Sequence, residues 1–107
     1  MEIKWSADAK QTWLNSLEYC VDNYGIHFGL KLSNILTKKI NTISSFPESG
    51  SPMPPLDTET YKYRSILLYK DYKIIYRIDY QNNIIIIIDI VNMRFDYEDF
   101  IKRVSGK

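Results

Sequence analysis

Four cationic side chains lie in or just after segments of this chain that read as β-strands: Arg64, Lys73, Arg77 and Arg94. Arginine offers a planar fork of donors that matches two oxygens at once, and lysine acts as a point charge. Both stabilise the negative charge that develops on phosphorus during phosphodiester cleavage. If these side chains converge on one side of a sheet, they form a phosphate-binding or catalytic cluster. The alternative is a set of solvated cations whose stems cover a sheet face.

The segment that follows Arg94 carries aromatic and acidic groups. Tyr97 and Phe100 could stack on a nucleic-acid base, or they could anchor a terminal helix. The acids of this segment are Asp96, Glu98 and Asp99. One of them could serve as a general base, although acids beside basic residues more often form surface ion pairs of little energetic weight.

The other reactive side chains indicate no further chemistry. Cys20 is the single cysteine, so no internal disulfide can form, and its place on an apolar helical stripe predicts a buried thiol. His27 is the single histidine and lies far in sequence from the basic strands, which favours a surface or capping role. One residue of each type cannot build a thiolate and imidazole metal site, and no phosphate-cradling glycine loop is present. We therefore expect no metal and no other cofactor.

Hydrophobic spacing predicts the elements that must position these side chains. The predicted order is a strand over residues 2–5, helices over 7–23 and 27–46, and strands over 61–69, 72–80 and 84–91, with a possible short helix at the C-terminal end. All four prolines lie in the loop between the second helix and the second strand. Because the last three strands are joined by connections of hairpin length, they should form an antiparallel meander. The order predicts an α+β fold, an antiparallel sheet with a helical hairpin packed on one face.

Strand alternation assigns side chains to the two faces of this sheet. In the middle strand, Ile74, Tyr76 and Ile78 should pack against the helices, and the cations should share the opposite face. The last strand has no polar alternation to set its phase. We expect its even-numbered isoleucines, Ile84 to Ile90, to face the helices. Ile85 and Ile87 would then need cover from another segment or from a partner chain.

Length and composition set broad limits. A chain of 107 residues with 45% hydrophobic and 25% charged residues is typical of one soluble globular domain, here residues 1–107. No apolar run is long enough to cross a bilayer, so we expect a cytoplasmic protein with no membrane partner. The net charge is only +1, but residues 1–60 carry −2 and residues 61–107 carry +3. The basic half could face phosphate.

Four segments in this order resemble the RelE/ParE superfamily of toxins from bacterial type II toxin-antitoxin modules: "WSADAK", "SSFPESGSPMP", "YRSILLYKDYKIIYRID" and "IIDIVNMRFDYE". The resemblance covers nearly the whole chain. It implies an antiparallel sheet that carries a helical hairpin, in agreement with the pattern above. Within the superfamily, RelE-type members cleave messenger RNA on the ribosome, whereas ParE-type members inhibit DNA gyrase.

The resemblance also implies roles for particular residues. Arg64 and Lys73 fall where RelE-type members place phosphate-binding cations, and Arg94 matches their arginine after the last strand. Arg77, Tyr97 and Phe100 would then contact RNA or another target. Ile66 stands where RelE has a second lysine, and Phe100 aligns with its C-terminal tyrosine but has no hydroxyl group.

Three functional hypotheses follow from the resemblance. The chain is a toxin that cleaves messenger RNA with Arg64, Lys73 and Arg94, or a toxin that inhibits gyrase and needs no chemistry, or a non-toxic relative that only binds an antitoxin or RNA. The implied partners are a cognate antitoxin together with either the ribosome and messenger RNA or DNA gyrase. A homodimer, or a heterotetramer with the antitoxin, is also implied.

Overall fold

The computed structural model describes residues 1–105. The helices are α1 (Ala7–Tyr24), α2 (Ile26–Ser45) and α3 (Tyr97–Ser105), with short 3-10 turns at Pro47–Ser49 and Pro54–Leu56. The strands are β1 (Glu2–Trp5), β2 (Ser51–Pro52), β3 (Tyr63–Tyr69), β4 (Tyr72–Asp79) and β5 (Ile84–Asn92). The predicted α+β fold with a helical hairpin on one face of a sheet is confirmed.

Local interactions explain where the helical hairpin begins and turns. The Ser6 side chain caps α1 by accepting the N–H of Ala9 at 3.0 Å, and its hydroxyl donates to the Ile88 carbonyl of β5 at 2.7 Å. Gly25 separates the two helices with a φ of +93°, a conformation that side chains disfavour. The same serine therefore starts the hairpin and fixes it to the sheet.

The sheet has the strand order β1-β5-β4-β3-β2. The meander β3-β4-β5 is antiparallel as predicted, whereas β1 runs parallel to β5 and makes the sheet mixed. Ser6, which directly follows β1, donates its backbone N–H to the Ile87 carbonyl at 2.9 Å. This contact and the parallel pairing set the register of the isoleucine strand.

The main core lies between the hairpin and the sheet. Ile74, Tyr76 and Ile78 of β4 are buried there, as predicted. Ile90 of β5 also packs on this side as predicted, but the predicted phase is wrong for the earlier part of the strand, where Ile85 and Ile87 rather than Ile84 and Ile86 lie in this core. Tyr76 pairs with Ile87 while Ile75 pairs with Asp89, so β5 contains one extra residue at this point. A run of identical isoleucines carries no polar signal from which such a bulge could be predicted.

A second, smaller core covers the opposite face of the sheet. Its buried members are Met53, Leu56, Ile75, Val91 and Phe100, contributed by the proline-rich loop, the sheet and α3. Ile85 and Ile87 need no partner chain, because the hairpin already buries them completely. The chain itself therefore covers much of the face that we expected a partner to cover.

Candidate functional site

The four predicted cations do not share one side of the sheet, so the predicted cluster is wrong. Arg64 pairs with Tyr76, which points toward the hairpin, and paired residues lie on the same face. Lys73 and Arg77 alternate with the buried residues of β4 and project from the other face. Arg64 lies on the hairpin side because Ile66 and Leu68, which occupy the same face of β3 as Arg64, pack into the core beneath the hairpin.

Arg64 is held by the loop that follows α2. Its Nη1 donates to the backbone carbonyls of Glu48 at 3.1 Å and Gly50 at 2.6 Å. The buried Tyr76 hydroxyl donates to the Pro47 carbonyl at 2.7 Å and accepts the Gly50 N–H at 2.9 Å. We call this network the loop clamp. Burial is the main cause that raises the pKa of Tyr76, so its phenol stays protonated as the clamp requires.

Arg77 lies on the face opposite Arg64, which is also the face of Lys73. Its guanidinium stacks on the Tyr61 ring, with the central carbon 3.9 Å from the ring centroid. Its Nη1 is buried and has no hydrogen-bond partner among residues 1–105. Arg77 is four positions along β4 from Lys73, which corresponds to about 13 Å. It therefore does not join Lys73 in one site.

Lys73 and Arg94 do lie at the same end of the sheet. Lys73 pairs with Val91 near the end of β5, and Arg94 follows in the next turn. The Asn92 side chain accepts the backbone N–H groups of Arg94 at 3.0 Å and Phe95 at 3.3 Å, which fixes the shape of the turn. The backbone N–H of Met93 donates to the Asp71 carbonyl at 2.9 Å and ties this turn to the β3-β4 turn.

Phe95 is the residue at this end that sequence reasoning missed. Its side chain is 73% exposed, and the Arg94 guanidinium lies 5.5 Å from the centroid of its ring. A large aromatic ring held out by a hydrogen-bonded turn is typical of a contact residue. The polar Asn92 before the turn was the available signal. We define the sheet-end surface as Lys70, Lys73, Arg94 and Phe95.

Tyr97 and Phe100 belong to α3 and to the second core. Phe100 is only 3% exposed, so its ring offers no face to a base. Tyr97 is half-buried against the same core. The alternative interpretation is therefore correct: these two aromatic side chains anchor the terminal helix to the second core. The acids Glu98 and Asp99 lie in the first turn of α3, where their negative charge interacts favourably with the helix dipole.

An apolar groove of about 660 Å³ opens between the second half of α1, the start of α2 and the β3-β4 end of the sheet. The residues that define it include Trp13, Cys20, Phe28, Leu68, Tyr72 and Ile90. Ring contacts connect Tyr24 to Phe28 at 5.4 Å and Phe28 to Tyr69 at 5.9 Å along its edge. Burial raises the pKa of the Cys20 thiol, which suits an apolar lining residue rather than a nucleophile. Lys70 links the groove to the sheet-end surface.

Within residues 1–105, no group of three or more His, Cys, Asp or Glu side chains is arranged to hold a metal ion. No helix in that range has the length and hydropathy needed to cross a membrane.

Comparison with known proteins identifies the family. A model described as the ParE toxin of the type II toxin-antitoxin system parDE matches residues 3–97. The chain belongs to the ParE toxin family. This confirms the predicted membership of the RelE/ParE superfamily. A search of curated proteins finds no significant match.

A solved structure described as the chromosomal ParDE toxin-antitoxin system from P. aeruginosa is similar in fold to this ParE family member. The TM-score is 0.66 at 17% sequence identity, and the match covers 86% of this chain and 95% of the other. At this identity the likeness concerns the fold alone.

Proposed function

We propose that this ParE family member is a growth-inhibiting toxin that binds DNA gyrase and carries out no chemistry of its own. The observation that carries the proposal is the separation of Arg64 from Lys73 by the sheet. Phosphate cleavage needs its stabilising groups within hydrogen-bond reach of one phosphate. Arg64 instead donates to two backbone carbonyls of the loop clamp.

The composition of the C-terminal segment supports the same proposal. Phe100 has no hydroxyl group and is buried, and the single histidine of the chain, His27, stands at the start of α2. The acids near Arg94 are exposed. RNA cleavage would therefore have to rely on Lys73 and Arg94 together with solvated carboxylates. Binding to a protein requires none of these groups to act as a base.

The sheet-end surface fits recognition of a protein target. Arg94 and Phe95 combine a fixed backbone, a fork of hydrogen-bond donors and an exposed ring, which are the features of residues that dominate binding energy at interfaces. Arg94 takes part in no ion pair within residues 1–105, so its charge is available to a partner. We assign Arg94 and Phe95 as the main contacts with gyrase, with Lys73 beside them.

The neutralising partner would be a cognate antitoxin, as the family description implies. The apolar groove is large enough to take several apolar side chains of an antitoxin segment. Because Lys70 belongs to both the groove and the sheet-end surface, an antitoxin in the groove would also obstruct contact with gyrase. This arrangement accounts for neutralisation by simple competition.

Producing the chain alone in bacteria, while DNA synthesis and messenger integrity are followed, tests the proposal. We expect an early stop in DNA synthesis with intact messenger, and inhibition of supercoiling when purified chain is added to purified gyrase. Rapid messenger cleavage would instead support the RelE-type activity. Normal growth of cells that contain folded chain would support a non-toxic binding module and reject both toxic activities.

A further inference from the structure

The β3-β4 turn contains a lysine in a backbone conformation that lysine rarely adopts. Lys70 has a φ of +51°, and Asn83 in the β4-β5 turn, with a φ of +57°, is the other non-glycine residue of this kind within residues 1–105. Asparagine tolerates the left-handed region, whereas most side chains are strained there. The turn is nevertheless fixed, because the Asp71 carbonyl accepts the Met93 N–H at 2.9 Å. The chain therefore keeps a lysine at a position that suits asparagine or glycine better.

Lys70 also places a charge at the sheet end of the apolar groove. It is the one charged side chain among the lining residues that the structure describes. Its ammonium lies 5.5 Å from the centroid of the Tyr69 ring, beside the aromatic edge of the groove. Lys70 takes part in no ion pair within residues 1–105, and the neighbouring Asp71 is not its partner. The charge is thus available to whatever occupies the groove.

A groove of this kind selects an occupant with two chemical features. Trp13, Phe28 and Leu68 offer apolar surface without charge, so the side chains that lie along them should be apolar. Filling the groove removes water from Lys70, and a desolvated charge without a partner is unfavourable. A carboxylate at this end offsets that penalty, whereas a second cation would be repelled. Charge complementarity therefore favours an apolar segment with an acidic residue at one end.

We infer that the antitoxin segment places a carboxylate on Lys70 while its apolar side chains fill the groove. The inference rests on the proposed role of the groove, and it adds the chemistry and the direction of the segment. The acidic residue lies at the β3-β4 turn, and the apolar residues extend from there toward α1 and the start of α2. The fixed turn holds the lysine backbone in position before the segment arrives, which lowers the entropic cost of the contact.

Lys70→Asn separates the effect of the backbone from that of the side chain, because asparagine suits the turn but carries no charge. The urea midpoint of this variant should rise by about 0.3 M as strain is relieved. Its affinity for the purified antitoxin should fall at least about tenfold. Lys70→Arg keeps both the charge and the strain, so it should unfold and bind like the wild type. Asn83→Gly, in the other turn with a positive φ, is the matched control and should bind normally.

The charge at position 70 should set the affinity in a graded order. Lys70→Glu should bind the antitoxin more weakly than Lys70→Asn, because a carboxylate then faces a carboxylate. The affinities of the wild type and Lys70→Asn should converge at high salt, since only the wild-type complex contains the ion pair. Isothermal titration calorimetry of the full-length chains measures both effects, and circular dichroism establishes that each variant is folded.

The outcomes separate this inference from the proposed role of the groove. Normal antitoxin affinity in Lys70→Asn and Lys70→Glu, together with weak binding by the groove variant Cys20→Trp, would overturn the inference and keep the groove. Normal affinity in all three variants would reject both. Loss of gyrase inhibition by Lys70→Asn with normal antitoxin binding would assign Lys70 to the gyrase contact and would also overturn the inference.

Discussion

Tyr76 connects the core of the sheet to the loop after α2 through its hydroxyl group. It is fully buried, and both hydroxyl bonds involve backbone groups, the Pro47 carbonyl and the Gly50 N–H. A methyl group at Gly50 would lie 2.5 Å from this oxygen, so the residue at position 50 has to be glycine for the contact to form. The Tyr76 hydroxyl is therefore part of the structural support for β2 and the loop.

Replacing Tyr76 by phenylalanine should lower the free energy of unfolding by about 1–3 kcal/mol, because two buried backbone groups lose their partner. Urea unfolding measures the change. Tyr80→Phe is the matched control, since the exposed Tyr80 hydroxyl bonds to the Glu48 carboxylate at 2.6 Å and should contribute within about 0.5 kcal/mol. Equal losses in the two variants would contradict a special role for the clamp.

Arg94 is the residue on which activity should depend most. Arg94→Ala should weaken binding to gyrase about thirtyfold, or ~2 kcal/mol, and leave unfolding unchanged, because the side chain is exposed and its guanidinium lies beside the exposed Phe95 ring. Lys62→Ala, which removes an exposed cation in the segment before β3, is the control and should bind normally. Full supercoiling inhibition by folded Arg94→Ala protein would remove Arg94 from the proposed contact.

At the scale of secondary structure, α3 is attached to the sheet by the Arg103–Asp89 ion pair and by an apolar face. Nη2 of Arg103 lies 2.6 Å from Oδ2 of Asp89, whose side chain is only 5% exposed. Phe100 adds the buried apolar contact. A nine-residue helix is too short to be stable alone, so tertiary contacts decide whether α3 forms.

Arg103→Ala should lower the free energy of unfolding by about 1–3 kcal/mol, since a buried carboxylate loses its partner while the arginine side chain is half-exposed. Backbone amide exchange in α3 should accelerate more than exchange in α1. Lys102→Ala, at an exposed neighbouring position, is the control and should change neither quantity. Unchanged exchange in α3 of Arg103→Ala would show that the apolar contacts suffice.

At the scale of the whole molecule, the groove and the sheet-end surface share one end of the fold. Cys20 lines the groove, and a larger side chain there should block an antitoxin segment without touching Arg94 or Phe95. Cys20→Trp should therefore remain toxic but bind the antitoxin at least about tenfold more weakly, or ~1.4 kcal/mol. Gln11→Trp, at an exposed position of α1 outside the groove, is the control, and cells that produce it should still be rescued by the antitoxin. Normal rescue of toxic Cys20→Trp cells would place the antitoxin elsewhere.

Several features of the fold were predictable because they depend on local chemistry. Ser6 and Gly25 set the limits of α1 through a cap and a positive φ, and short connections made β3, β4 and β5 a meander. The parity of β4 placed Ile74 and Tyr76 in the core. The β5 bulge was not predictable, because five isoleucines in succession suit either face equally.

By itself the sequence determined the order of the elements apart from the short β2, the family and the position of Arg94 after the last strand, since these depend on spacing and turn residues near in sequence. Only the tertiary structure decided which charged and aromatic groups meet. Register across the sheet put Arg64 on the opposite face from Lys73, folding of α3 buried Phe100, and the turn fixed by Asn92 exposed Phe95. Each of these results depends on a contact between residues that no local pattern connects.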